Sequence, residues 1–454
     1  MTEYDSLEER IQKRKEYYIT QLQRLVRQPS VSAKNEGIRD CALLLKEIME
    51  EHGITTRLLE IPNANPVVYG EVRVRGSSKT LLFYNHYDVQ PAEPVELWRY
   101  PPFSATLIDG RIYGRGAADD KGEILSRLAA VDAYLASGKD PPCSFKFVIE
   151  GEEEIGSINL PRYAEKYRDL FQADSGIWEF GGIDNRGRPI VSLGMKGILY
   201  VELLAKGPAR DLHSSLSAIV ENPAWRLVRA ISSFKDHKDN ISIKGWNDRI
   251  RKLTEDEKRL LDTFPYDEEE VKKSYGIASF INDLSGYALK EKLYTQPTCN
   301  ICGIWSGYQG PGSKTVLPSE AHAKLDFRLV PDQDPEELSL LLRKHLDENG
   351  FSDVQIVYKE GEPAARISHK ERIAIAAAKA GKKAYGVESI LSVSSAGTGP
   401  MYIFSKELAV PCVGIGTGHP DDAQHSPNES KRIDTFVNGT KWVAYTIQEF
   451  ASSS

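Results

Sequence analysis

The stretch Thr80-Leu81-Leu82-Phe83-Tyr84-Asn85-His86-Tyr87-Asp88 begins as a nearly unbroken apolar run and ends on an imidazole and a carboxylate two positions apart. A run without polar alternation is the pattern of a strand covered on both faces of a sheet. A second run of this texture, Phe145-Lys146-Phe147-Val148-Ile149, leads into Glu150-Gly151-Glu152-Glu153-Glu154. Between the two, residues 121–136 read as a helix. Strand, helix, strand at this spacing predicts an α/β sheet domain, in which ligands gather beyond the carboxyl ends of the strands.

The flanking sequence extends this reading. Residues 4–52 read as two helices, with Leu43, Leu44, Ile48 and Met49 at helical spacing and a break at Gln28-Pro29-Ser30-Val31-Ser32. Val67-Val68-Tyr69 adds a short strand. Beyond Lys196 the texture changes to a strand over 197–205, a helix over 222–234 and a long charged stretch over 235–296. A strand region over 316–330 and an amphipathic helix over 335–348 follow. This order predicts a separate α+β domain inserted into the first. From Ile367 the helix–strand rhythm returns, helical over 374–384 and extended over Cys412-Val413-Gly414-Ile415-Gly416. The predicted boundaries are 1–196 and 365–454 for the interrupted domain and 197–364 for the insertion.

At 454 residues the chain exceeds a single compact core. A net charge of −7 argues against a nucleic-acid binder, which is normally basic. No run approaches the ~18 apolar residues of a membrane span. The charged N-terminal segment lacks the apolar centre of a signal peptide, so a cytoplasmic location is expected. Five cysteines (Cys41, Cys143, Cys299, Cys302, Cys412), odd in number and mostly set in apolar segments, read as free thiols of a reducing compartment. Cys299 and Cys302 form a C-x-x-C in a strand-like run, and no second pair completes a zinc knuckle. Both are expected to be ordinary strand cysteines.

Four polar clusters remain, three of them directly after apolar runs or a glycine-punctuated loop. His86 and Asp88, two apart on an extended segment, project to one side, which suits a ligand histidine held by a carboxylate. Taken alone, the pair reads first as an exposed loop after a strand. Gly114-Arg115-Gly116-Ala117-Ala118-Asp119-Asp120-Lys121-Gly122 carries adjacent carboxylates, which are either solvated or neutralised by a cation. Glu152, Glu153 and Glu154 repeat that logic after a buried strand, where one can ligate and a neighbour can act as general base. The alternative, an acidic helix N-terminus, does not account for four clusters together. The last is Ala423-Gln424-His425-Ser426, with His419 as a rival within the same loop. His52, His237, His322, His345 and His369 lie in polar or helical contexts and are expected at the surface. Imidazole and carboxylate donors without thiolates suit zinc, manganese or cobalt.

With these blocks in order (H-x-D, G-R-G-x-x-D-D-K-G, E-G-x-E-E-x-G-S and A-x-H-S-x-N-E) the chain resembles the dinuclear metallopeptidases that include carnosinases, non-specific dipeptidases, glutamate carboxypeptidases, desuccinylases and aminoacylases. The stretches Lys314-Thr315-Val316-Leu317-Pro318, Phe327-Arg328-Leu329-Val330-Pro331 and Asp211-Leu212-His213-Ser214 carry a finer likeness to the carnosinase and dipeptidase branch. The resemblance implies a mixed, mostly parallel sheet covered by helices, interrupted by a lid and dimerisation domain. It implies two divalent ions per subunit, zinc first, one held by His86, Asp119 and Glu179 and the other by Asp119, Glu154 and His425. It further implies Glu153 as general base, Asp88 orienting His86, and a cis bond between Asp119 and Asp120. His213 would polarise the scissile carbonyl across a homodimer, while Arg328, with Thr315 and Thr398, would bind the substrate carboxylate. Glu179 stands where the dipeptidase branch usually has aspartate, with Asp174 the other acidic candidate. Residues 358–363 carry no histidine where carnosinase-like members tend to have one, so the implied reaction is peptide or amide hydrolysis and not carnosine cleavage in particular. The expected substrate is a small peptide, with an N-acyl amino acid or a carboxypeptidase substrate as the alternative.

Overall fold

The computed structural model describes residues 2–138 and 140–453. Its chain divides into two compact units. The first comprises Met1–Gly194, Arg366–Val393 and Gly399–Ser454; the second comprises Met195–Ala365 and Ser394–Thr398.

The apolar runs of the first unit form the centre of a nine-stranded mixed sheet. Its main path orders the strands Thr55–Leu59, Val67–Val72, Ser144–Glu150, Thr80–His86, Ser175–Trp178, Cys412–Gly414, Pro189–Ser192 and Ile390–Ser392. The four consecutive strands from Ser144–Glu150 to Cys412–Gly414 are mutually parallel. Their side chains are buried on both faces, which is why the sequence runs apolar without alternation. Helix Lys121–Leu135 is buried around its whole circumference, so its polar residues Glu123, Arg127 and Asp132 must find partners inside. It packs against helix Ile433–Ser452, which also packs against Arg372–Tyr385.

Residues 4–52 contain three helices, Glu3–Lys13, Lys15–Arg27 and Ile38–Glu51, instead of two. Arg14 leaves the helical region (φ −99°, ψ 5°), and its Nε pairs with Asp132 Oδ2 at 3.0 Å. Two histidines expected at the surface are buried. His52 sits 3.3 Å from Asp132 and stacks on Tyr18, while His345 meets Ser233 Oγ at 2.9 Å. Each lies at a helix end or on a helix face that tertiary partners cover, which local polarity does not reveal.

The second unit holds a four-stranded antiparallel sheet ordered Thr298–Ser306, Glu320–Leu329, Gly197–Lys206, Gln355–Glu362. Here burial alternates: Leu199, Val201 and Leu203 join Leu325 and Phe327 in a core with Leu227, Trp246, Leu342 and Leu346. Helices Pro223–Ser232 and Pro335–Glu348 supply Leu227, Leu342 and Leu346 and cover that face. The strand region expected over 316–330 is split at Pro318, which lacks an N–H for the ladder. Val316–Leu317 instead pairs with Leu212–His213. The charged stretch 235–296 contains the helices Glu255–Thr263, Glu268–Tyr275 and Gly286–Thr295. Cys299 and Cys302 lie on one strand, Cys299 buried and Cys302 exposed, and all five cysteines are free. Among the described residues, no helix is long and apolar enough to cross a membrane.

Candidate metal centre

Parallel strands deliver distant parts of the first unit to one edge. His86 ends Thr80–His86, Glu153 and Glu154 follow Ser144–Glu150, Glu179 follows Ser175–Trp178, and the loop bearing His425 follows Cys412–Gly414. The loop preceding helix Lys121–Leu135 brings Asp119 and Asp120 to the same place, with His86 Nε2 3.1 Å from Asp119 Oδ1. His425 Nε2 lies 2.9 Å from the other Asp119 oxygen and 3.2 Å from Glu154 Oε2. Two donor groups have ligand atoms within 4.8 Å of one another: His86, Asp119 and Glu154, and His86, Asp120 and Glu179. Asp120 was not among the expected ligands, and its Oδ2 also accepts from Asn85 Nδ2 at 2.7 Å and the His86 amide at 3.1 Å. The bond between Asp119 and Asp120 is cis.

The rivals lie elsewhere. His419 pairs through Nδ1 with Asp421, and Asp174 accepts from the Thr80 amide at the opposite end of that strand. Glu152 is spent on local structure, accepting from Asn65 and Asn159.

A layer of buried groups holds the donors in place. Asp88 meets His86 Nδ1 through its carbonyl at 3.1 Å, with its carboxylate at 3.5 Å. That carboxylate also accepts from the Glu153 and Glu154 amides at 3.2 and 3.0 Å, so one side chain sets both the histidine and the two glutamates. Glu429 accepts from the amides of Gly116, Ala118 and Asp119 and from Arg115 Nη1 at 2.7 Å. Gly116 sits at φ +84°, a turn that suits glycine. Arg127 donates to the carbonyls of Trp178, Glu179 and Ile415, tying the Glu179 strand end to the following segment. Gln90 Nε2 donates to Glu154 Oε2 at 2.8 Å. Glu429 lies inside the A-x-H-S-x-N-E block and could have been singled out there; Arg127 has no local signal.

The electrostatics of this edge are those of crowded carboxylates. Burial, and then neighbouring acids, pushes Glu153, Glu179 and Asp120 well above the usual carboxylate range, against the pull of His86. Burial also opposes charge on His86, yet Asp119, Asp88, Glu153 and Asp120 together raise it well above an ordinary histidine. Hydrogen bonds to Asp119 and Glu154 raise His425 to about 10. Asp119 itself is held below the usual range by His425 and His86, in spite of its burial. Glu179 Oε2 is buried with no hydrogen-bond partner. Crowded acids, two imidazoles and an orphaned buried carboxylate oxygen are what a divalent cation would satisfy, so the residues fit such an ion.

The other expected site residues belong to the second unit. His213 is exposed, and its Nδ1 accepts from the Ser215 amide at 3.2 Å, which puts the proton of a neutral ring on Nε2. The Thr315 carbonyl accepts from the Ser214 amide, so Thr315 stands with His213. Arg328 Nη1 donates to Thr398 Oγ1 at 2.7 Å, and its Nε lies 3.4 Å from Asp326.

Residues 82–449 match the profile of peptidase family M20/M25/M40. The chain belongs to this family. Among solved M20 structures, it is 40% identical to the metallo-carboxypeptidase Sso-CP2 of Sulfolobus solfataricus, with 96% of this chain and 99% of that one covered and a TM-score of 0.90. Among M20 relatives, the Cys-Gly metallodipeptidase DUG1 of Saccharomyces cerevisiae is 28% identical across 99% of this chain and 98% of its own length. The human Beta-Ala-His dipeptidase is 30% identical across 85% of this chain and 78% of its own length.

Proposed function

We propose that this chain is a metal-dependent peptidase that cleaves the amide bond of dipeptides or short peptides, with Glu153 as general base. The carrying observation is the convergence of His86, Asp119, Glu153, Glu154, Glu179 and His425 at one sheet edge, with Glu179 Oε2 buried and unpartnered. His86, Asp119 and Glu179 would hold one divalent ion and Asp119, Glu154 and His425 a second. Zinc suits these donors first, then manganese or cobalt. Asp120, grouped with His86 and Glu179, stands ready to share the first of these ions. Bound divalent ions supply Lewis acidity, polarising an amide carbonyl and acidifying water. Glu153 takes a proton from water and returns it to the leaving amine. Asp88 fixes the Glu153 and Glu154 backbone, and Glu429 fixes the loop that carries Asp119.

Arg328 takes the substrate carboxylate through its planar fork, with Thr398 beside it and Thr315 as a further polar contact. The family likeness gives His213 the role of polarising the carbonyl from the partner subunit of a homodimer. The exposed apolar residues Ile219, Trp225 and Val228 support a protein–protein contact on this unit. Free cysteines throughout support a cytoplasmic, reducing setting.

A second reading, release of the C-terminal residue from longer peptides, is favoured by the 40% identity to the S. solfataricus metallo-carboxypeptidase. Metal-stripped protein reconstituted with zinc, manganese or cobalt separates the readings on dipeptides, longer peptides and N-acetyl amino acids. Metal-dependent dipeptide cleavage is expected. Turnover of longer peptides alone moves the chain to carboxypeptidases, cleavage of N-acetyl compounds alone moves it to deacylases, and metal-independent turnover overturns the mechanism. Sedimentation of the same samples should give a dimer, and an active monomer would sink the role given to His213.

A further inference from the structure

In the second unit one strand residue stands between two charges. Ile198 is in register with Arg328 on one side and with Glu362 on the other. Residues directly opposite one another in antiparallel strands project to the same face, so Arg328 and Glu362 flank Ile198 on the face away from the Leu199–Phe327 core. Glu362 Oε2 is buried there without a hydrogen-bond partner. Neither Arg328 nor Lys196 hydrogen-bonds to Glu362 Oε2, although the Arg328 charge acts on it. Arg328 uses Nη1 on Thr398 and Nε on Asp326, and the buried Lys196 gives Nζ to the Gln296 carbonyl at 2.6 Å. A buried carboxylate oxygen with no donor is costly, and a donor or cation from outside the chain removes that cost.

We propose that Glu362 reads the side chain of the substrate's C-terminal residue and selects a basic one, lysine or arginine. The inference rests on the reading of Arg328 as the anchor for the substrate carboxylate. An extended basic side chain on a group bound at Arg328 by its carboxylate reaches several ångströms from that anchor, and Glu362 is the acid on the same face two strands over, about 10 Å away at the backbone. A neutral or acidic side chain leaves Oε2 unpaired or adds repulsion; a basic one supplies the missing donor as a charge-assisted bond.

The test uses the full-length, metal-reconstituted protein and three dipeptides that differ only at the C-terminal residue: Ala-Lys, Ala-norleucine and Ala-Glu. The readout is the ratio of kcat/KM between substrates in one sample, which cancels any loss of active fraction in a variant. The wild type should favour Ala-Lys over Ala-norleucine by about tenfold or more. Glu362→Gln should bring that ratio to within about twofold of one, and Glu362→Lys should turn the preference toward Ala-Glu. An unchanged Lys-to-norleucine ratio in Glu362→Gln overturns the inference. Arg328→Met run alongside tells the two ideas apart. If it raises KM for all three dipeptides while Glu362→Gln leaves the ratio alone, the carboxylate anchor stands and the role of Glu362 falls. If it leaves KM unaltered, the anchor itself falls and the inference with it.

Discussion

Around His86 the first unit crowds Asp119, Asp120, Glu153, Glu154 and Glu179, two of them fully buried, with two histidines, whereas the outer sheet face of the second unit buries Lys196 beside Arg328 with Glu362 across the strand. Burial acts on both regions, in opposite directions. In the first it drives Glu153 and Glu179 toward the protonated form. In the second, burial and then Arg328 and Lys292 push Lys196 down to about 7. The first region lacks cations, which a divalent metal would bring. The second sets Arg328 between Asp326 and Glu362, with Lys196 buried beside it. The contrast separates chemistry from recognition: changes around His86 should act on turnover, and changes around Arg328 on substrate affinity and choice.

The largest effect that could break this division is expected at Glu153. Glu153→Ala should lower kcat by about 10³–10⁴-fold with metal content, measured by elemental analysis, unchanged. Wild-type turnover in that variant would remove Glu153 from the chemistry. Arg328→Met probes the other region. KM for free-acid dipeptides should rise about 30-fold or more, with metal content intact and dipeptide amides much less affected. An equal loss for acids and amides would mean that the two regions do not divide the work in this way.

The smallest effect is on stability, and its sign follows from Lys196. Its folded value is about 7, against an ordinary 10.5. Below pH 7 both folded and unfolded chains carry the proton and the full cost of burial stands. Between 7 and 10.5 the unfolded chain binds more protons, so stability rises with pH, by at most about 1.4 kcal/mol per unit. Lys196→Met should flatten that rise. Denaturant titrations of both proteins at pH 7.5 and 9 measure it, and parallel slopes would show that Lys196 is not the group responsible.

What could be read from the sequence was whatever depends on near neighbours. The runs at 80–84 and 145–149 gave their strands because both sheet faces are covered, and the helix between them followed from its spacing. His86, Asp119, Glu154 and His425 stood out because each cluster follows an apolar run or a glycine turn and matches a family block. Contacts between distant residues were not legible. Arg127 reaches Ile415, His52 meets Asp132, and Arg14 leaves its helix and pairs with that same aspartate. In each case the deciding partner lies tens to hundreds of positions away. Asp120 illustrates a finer limit: the sequence marks an acidic pair, but only the backbone path decides which member faces Glu179.

The strand Cys412–Gly414 has a consequence for how the protein is made. It lies inside the sheet, between Ser175–Trp178 and Pro189–Ser192, and Glu429 just beyond it clasps the amides of the Asp119 loop. A ribosome-bound chain that has not yet released this segment has a gap in its sheet and an unanchored loop where the donors should meet. Domains fold as units while synthesis proceeds at about 5–20 residues per second. The first unit therefore waits for the whole insertion to be translated before its edge closes. Any translation product that stops short of residue 429 lacks that clasp, so premature stops yield inert chains and not half-active ones.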